Sequence, residues 1–85
     1  MENSNQQEKL RIPIYDLNIE DQYKAMLSYT VQPRTIYDLM AKFSFSYSKV
    51  YSILKLWEAR GWVLHIPKMG KAPARWALNE SEVMI

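Results

Sequence analysis

The sequence contains no cysteine, which excludes disulfide bonds, thiolate metal sites and a cysteine nucleophile. His65 is the single histidine, so a metal site built from several imidazoles is excluded as well. No apolar run approaches the roughly 18 residues of a membrane-spanning helix. The polar first residues lack the apolar segment of a signal peptide. These absences predict a cytoplasmic protein with no membrane partner.

Motifs that enzymes use are missing too. The two glycines, Gly61 and Gly70, stand apart, so the chain has no Gly-rich loop to cradle a phosphate group. There is no His–carboxylate set and no acidic cluster suited to two-metal chemistry. We therefore expect no enzyme, no catalytic residue, no metal, no cofactor and no small-molecule ligand.

Charge is present but unevenly distributed. The 85 residues carry a net charge of only +2, a weak argument for a nucleic-acid partner by itself. Residues 33–75, however, hold eight Lys or Arg and two Asp or Glu, a net +6, whereas the rest of the chain is at −4. This basic segment between acidic flanks would orient the molecule in the field of a polyanion.

Length and composition predict one main domain with short flanking segments. Residues 1–9 are polar and predict a disordered N-terminus. Residues 10–17 alternate apolar and polar side chains around Pro13, which excludes a central strand, so we expect an extended arm packed on the domain or on a partner. The main domain is predicted over residues 18–79, and residues 80–85 form an acidic tail with an apolar end.

Two helices are predicted in the first half of the domain. Asn18 is a suitable N-cap for the first helix, which should end near Thr30. Pro33 keeps the following link extended. Thr35 and Asp38 have the spacing of a capping box, and they open a second helix. The apolar stripe of this second helix has the spacing of one buried helical face: Ile36, Leu39, Met40 and Phe43.

The third predicted helix covers residues 46–60, with Ser46 as its N-cap and Gly61 just past its C-terminus. The large apolar residues of this segment share one face: Val50, Ile53, Leu54 and Trp57. Ser48, Ser52 and Lys55 fall on the opposite face. A small, polar and basic front on a helix held by a core suggests a helix that recognises DNA.

After Gly61 the apolar period changes from that of a helix to that of a strand. Residues 62–66 and 75–78 predict two antiparallel strands, joined by a basic loop over residues 67–74. The fold class expected from the sequence is therefore α+β, mostly α, with three helices followed by a two-stranded ribbon.

This order of elements resembles that of winged helix-turn-helix domains. The similarity is most specific at residues 33–35, which open the second helix, at residues 45–48, which open the third, and at residues 56–63, which enter the ribbon or wing. The chain resembles MarR-like and ArsR-like regulators and the small winged-helix proteins of archaea and their viruses or plasmids. One departure is Ser44, where the family often has glycine in a left-handed turn position.

The resemblance implies that the third helix enters the major groove and that the wing lies on the DNA backbone or minor groove. The DNA-contacting residues predicted in this way lie on three elements: Arg34 and Thr35 at the second helix; Ser46, Tyr47, Ser48, Lys49, Tyr51, Ser52 and Lys55 on the third; and Lys68, Lys71 and Arg75 on the wing. Alternatives without DNA contact stay open for these residues. The lysines could belong to a solvated face, and Tyr47 and Tyr51 could be half-buried packing residues. Because this face has no Arg, Asn or Gln, base discrimination is expected to be modest.

The function predicted from the sequence is a transcription regulator that binds duplex DNA with some sequence preference, associated with the nucleoid. A homodimer on a palindromic site is expected, because residues 10–17 and 83–85 have no obvious place in a minimal core. Two alternatives remain: a winged helix used only for protein–protein interaction, and a non-specific architectural DNA binder.

Overall fold

Three α-helices and two small sheets make up the part of the chain that the computed structural model describes, residues 11–85. The predicted disordered segment, residues 1–9, lies outside it. The elements, in order, are β1 (Ile12–Pro13), a 3-10 turn (Ile14–Asp16), α1 (Asp21–Tyr29), α2 (Ile36–Phe43), α3 (Tyr47–Ala59), β2 (Val63–Ile66), β3 (Arg75–Leu78) and β4 (Val83–Met84). Three helices followed by a two-stranded antiparallel sheet give a small α+β domain, compatible with a winged-helix layout. In residues 11–85 no helix has the length and apolar character needed to cross a bilayer.

The start of α1 differs from the sequence-based prediction. Its N-cap is Glu20, whose side chain makes no capping hydrogen bond, and the predicted cap Asn18 lies in a bend before the helix. Leu17 is buried in the core at the end of the 3-10 turn. Because Leu17 is held in the core directly before Asn18, the chain still changes direction at Asn18. Helical geometry begins three residues later, at Asp21.

The unit formed by α2 and α3 is closed by local hydrogen bonds that the sequence predicted. The Asp38 amide donates to the Thr35 hydroxyl, and the Thr35 amide donates to the Asp38 carboxylate, both at 3.0 Å, so the capping box is present. The Ser46 hydroxyl oxygen accepts from the Lys49 amide at 3.2 Å and caps α3. Ser44 adopts the left-handed conformation, with φ of 58°, between the two helices. Gly61 has φ of 79° just past α3, as expected for a residue that ends a helix.

The ribbon of β2 and β3 pairs in antiparallel register, from Val63 opposite Leu78 to Ile66 opposite Arg75. The predicted strand over residues 75–78 is confirmed, and β2 begins one residue later than predicted. Met69 and Ala72 bridge the connecting loop through two backbone hydrogen bonds of 2.9 and 3.1 Å. The long loop therefore has a narrow tip, at which Gly70 supplies a positive φ of 57°.

Backbone hydrogen bonds attach the ribbon to the link between α1 and α2. Arg34 and Trp76 exchange two backbone hydrogen bonds, of 2.8 and 3.0 Å, and the Leu78 amide donates to the Thr30 carbonyl. The link thus lies along the edge of β3 that β2 leaves free. This pairing fixes the position of the ribbon against the start of α2.

The two terminal segments pair with each other, which the sequence did not predict. β1 and β4 form a parallel pair, with Ile12 opposite Val83 and Pro13 opposite Met84. Ile14, Leu17 and Val83 are buried in the core. The segment predicted as an extended arm therefore contains a strand and a 3-10 turn, and the prediction that residues 10–17 and 83–85 are spare apolar segments is wrong for these core residues.

The core is centred on α3. Val50, Leu54 and Trp57 are fully or almost fully buried, whereas only Leu39 of the predicted α2 stripe is. The remaining buried apolar residues come from the 3-10 turn and the residue after it, from α1 and from β2, β3 and β4: Ile14, Leu17, Met26, Leu27, Val63, Trp76, Leu78 and Val83. Burying an aliphatic or aromatic side chain of this size contributes about 1.5–3 kcal/mol. The opposite side of α3 is consequently held rigidly toward solvent.

Candidate nucleic-acid interface

An open depression lies between the ribbon, the start of α2 and the N-terminal half of α3. We call it the groove; its volume is about 220 Å³. Its lining comes from all three elements: Thr35, Ile36, Tyr37, Tyr47, Tyr51, Lys55, His65, Pro73, Ala74 and Trp76. Four of the predicted DNA-contacting residues meet there, namely Thr35, Tyr47, Tyr51 and Lys55.

The helical side of the groove carries three neighbouring tyrosines, which we call the tyrosine row. The ring centroids of Tyr37 and Tyr47 are 6.0 Å apart, and those of Tyr47 and Tyr51 are 6.3 Å apart with rings inclined by only 9°. The three residues are 66%, 47% and 44% exposed, respectively. Tyr37 was not predicted as a site residue, although its position outside the apolar stripe of α2 marks it as an exposed aromatic residue.

The ribbon side of the groove is aromatic as well. The His65 ring stacks on the Trp76 ring, with centroids 4.3 Å apart and planes inclined by 25°. Trp76 is 3% exposed and belongs to the core, whereas His65 is exposed. The sequence predicts His65 only as a strand residue. Its place beside the groove follows from the register that sets it opposite Trp76.

The two lysines of α3 point to opposite flanks of its front. The Lys49 ammonium lies 4.1 Å from the centroid of the Phe45 ring and 5.8 Å from that of Tyr23, on the side of α1. Lys55 lines the groove and forms an ion pair of 3.2 Å with Glu58. Such exposed pairs contribute only about 0.2–1 kcal/mol, so Lys55 can exchange its partner for a phosphate. Ser48 and Ser52 are exposed between the two flanks.

The N-termini of α2 and α3 differ in charge. At α2 the Asp38 carboxylate accepts the Thr35 amide, and a negative charge already occupies the positive end of the helix dipole. This disfavours the phosphate contact predicted for Thr35. The first turn of α3 has no acidic residue, and Ser46 caps it with a neutral hydroxyl. The start of α3 is therefore the more favourable place for a phosphate.

Arg34 lies in a different depression from the groove. We call this second depression the cleft; it is lined by Ala25, Ser28, Tyr29, Val31, Gln32, Arg34, Lys42 and Phe43. The Arg34 guanidinium stands 3.8 Å above the centroid of the Tyr29 ring, and its Nε–H donates to the Tyr29 carbonyl oxygen at 2.9 Å. These contacts join α1 to the link before α2, so the structure gives Arg34 a structural role and does not bring it to the groove.

The predicted ribbon cations also separate. Lys68 and Lys71 are exposed near the tip of the ribbon, beside Met69. Arg75 is half-buried, and its buried Nε has no hydrogen-bond partner among residues 11–85. Because neighbouring side chains of a strand point to opposite faces, Arg75 faces away from the side that carries Trp76. The ribbon tip can approach a phosphate backbone, whereas Arg75 lies on the far face.

No group of three or more His, Asp and Glu side chains within residues 11–85 is placed to hold a metal ion. Comparison of the chain with models of protein families, with curated proteins and with solved structures finds no match. The residues and geometry of the groove and of α3 are therefore the features of this molecule that bear on its function.

Proposed function

We propose that this protein is a winged-helix regulator of transcription that binds duplex DNA. The observation that carries the proposal is the exposed front of α3, where Ser48 and Ser52 lie between the flanking Lys49 and Lys55. The opposite face of the helix is buried in the core, so this front is held in one orientation. An α-helix with small side chains on its front fits the major groove of B-DNA.

Most of the binding free energy in this proposal comes from phosphates. Lys49 and Lys55 would each meet one strand of the duplex, and Lys68 and Lys71 would meet the adjacent backbone or minor groove. Only the lysines of the α3 front are strong candidates for guanine, and no Arg, Asn or Gln accompanies them. The expected sequence preference is therefore modest, with DNA shape contributing part of it.

A homodimer remains part of the proposal. Residues 10–17 and 83–85 no longer support it as spare apolar segments, because Ile14, Leu17 and Val83 are buried in the core. Val31, Met84 and Ile85 surround one depression beside β4 and are 37%, 38% and 66% exposed. We call these three residues the tail patch. A second copy packed on the tail patch would bury it and bring two α3 helices to one DNA site.

A protein-interaction module is the second candidate, favoured by a separate apolar surface. Leu56 is 48% exposed on α3 and lies in a depression with Ile19, Tyr23, Ile53 and Trp57. Exposed apolar surface of this kind is typical of protein contacts. Under this candidate the protein would bind no DNA at physiological salt.

DNA affinity measured across salt concentrations separates the two candidates. Four lysine contacts per protomer predict a slope of log K against log salt of roughly −4 for one protomer and roughly −7 for a dimer. The double variant Lys49→Ala, Lys55→Ala should lose about 10- to 100-fold in affinity, with a shallower slope. The matched control is Lys24→Ala with Lys42→Ala, which removes the same charge from α1 and α2.

Two outcomes would overturn the proposal. One is absent or salt-independent binding of the native protein to duplex DNA. The other is full affinity in a Lys49→Ala, Lys55→Ala protein whose circular dichroism spectrum shows that it is folded. If the control pair lost as much affinity as the α3 pair, α3 would not be the element that contacts DNA.

A further inference from the structure

We propose that the groove receives an unpaired nucleobase, so that the protein binds single-stranded or locally opened DNA more tightly than closed duplex. This inference rests on the proposed function, because it assumes that the α3 side of the molecule faces DNA. It adds single-stranded or locally opened DNA as a ligand, which recognition of closed duplex by α3 does not require.

The groove presents surfaces suited to the flat face of a base. Closed duplex presents only base edges in its grooves, since the flat faces are stacked on one another. The groove instead offers flat aromatic faces from both sides, the tyrosine row from the helices and His65 on Trp76 from the ribbon. Aromatic faces of this kind stabilise a base that has left the stack.

The rings of the tyrosine row are not covered by cations from within the described residues. Elsewhere in residues 11–85, cations lie over aromatic rings: Arg34 over Tyr29, Lys49 over Phe45 and Arg60 over Trp62. Within the same residues no cation lies over any ring of the tyrosine row. The three tyrosines contact one another and remain between 44% and 66% exposed. The ring surface that neighbouring tyrosines leave uncovered is available to a ligand.

Polar side chains lie beside the aromatic rings of the groove. Lys55 lines the groove and can meet the phosphate of the nucleotide whose base enters. The His65 imidazole is exposed at the opposite side and offers a ring face to the base. The Lys55 cation beside flat aromatic walls matches a nucleotide better than it matches an apolar protein segment.

The experiment compares three DNA forms of one sequence: a single strand, the closed duplex, and a duplex with a single-base bulge. Affinities are measured by fluorescence anisotropy at one salt concentration. We expect the single strand and the bulged duplex to bind at least about fivefold more tightly than the closed duplex. Tyr47→Ala should weaken binding of the open forms by about 5- to 100-fold, a larger factor than for the closed duplex.

Two further variants separate stacking from other effects. Tyr47→Phe keeps the ring and removes the hydroxyl, so it should retain the affinity for open DNA. Tyr15→Ala is the matched control, because Tyr15 is 69% exposed and outside the groove. Equal affinity for all three DNA forms would overturn the inference. So would an unchanged affinity of folded Tyr47→Ala for the open forms, or a loss in Tyr47→Phe as large as in Tyr47→Ala.

The result also distinguishes this inference from the proposed function. Salt-dependent binding of closed duplex without preference for open DNA would refute only the base-stacking role of the groove. Failure of the native protein to bind any of the three forms would refute both.

Discussion

The groove and the cleft each combine cations with tyrosines, yet they use them differently. In the cleft, Arg34 stacks on Tyr29 and donates to the carbonyl of the same residue, so its interactions are made within the chain. In the groove, the one ion pair of Lys55 within the described residues is an exposed pair with Glu58, and the tyrosine row is open. An aromatic residue beside a cation is therefore not a binding site by itself. What distinguishes a candidate site is whether its groups remain available to a ligand.

The comparison also explains why the net charge was a weak guide. Residues 33–75 carry a net +6, but Arg34 is used in packing and Arg75 is half-buried on the far face of the ribbon. Two carboxylates also lie close to groove residues, Asp38 in the cap at Thr35 and Glu58 beside Lys55. The field at the groove is thus weaker than the sequence count suggests.

The largest effect that this comparison predicts concerns the cleft. Arg34→Ala should lower the free energy of unfolding by about 2 kcal/mol, because it removes a charged hydrogen bond and a cation–π contact. Urea unfolding measures it, and Lys42→Ala is the control. The Lys42 ammonium lies 5.4 Å from the same ring centroid, and its loss should change stability by less than about 0.5 kcal/mol. If Arg34→Ala left stability unchanged but weakened DNA binding, the roles assigned to the two depressions would be reversed.

A smaller effect is expected in the groove. Glu58→Gln releases Lys55 from its ion pair at 3.2 Å and removes a negative charge, so affinity for DNA should rise about threefold. The measurement is anisotropy at low salt, where unscreened charges act most strongly. Glu80→Gln, on the exposed tail segment, makes the same charge change away from the groove. A rise of equal size in that control would mean that only net charge matters.

The smallest effect is expected at the start of α2. Asp38→Asn keeps a side-chain oxygen for the Thr35 amide but removes the negative charge from the helix N-terminus. Stability should fall by about 0.3–1 kcal/mol, because the charge no longer meets the helix dipole. DNA affinity should rise about twofold if the nearby groove faces phosphates. A decrease in affinity would indicate that α2 is held away from the DNA.

Several features of the fold were predictable because the interactions that decide them are local. The capping box of Thr35 and Asp38, the cap Ser46 and the end of α3 at Gly61 each depend on residues a few positions apart. The left-handed Ser44 follows from the short connection that its two helices require. The start of α1 was misjudged for the opposite reason, since the packing of Leu17 in the core decides it.

The candidate site was predictable in part. The α3 front followed from helical spacing alone, so Ser48, Lys49, Ser52 and Lys55 could be selected from the sequence. Tyr37 and His65 could not, because only the packing of the ribbon against α2 and α3 makes them line one groove. The position of Arg34 in the cleft was not predictable, because the sequence does not show that Tyr29, five residues earlier, lies beneath its guanidinium.

The sequence by itself determined the order of three helices and a ribbon, the caps that bound α2 and α3, and the polar front of α3. These features arise from hydrogen bonds and periodicities within a single element. The tertiary structure alone decided that β1 pairs with β4, some 70 residues apart, that Arg34 stacks on Tyr29 in the cleft, and that a row of tyrosines faces His65 across a groove. Contacts between distant segments depend on how every element packs at once, and no local pattern contains that information.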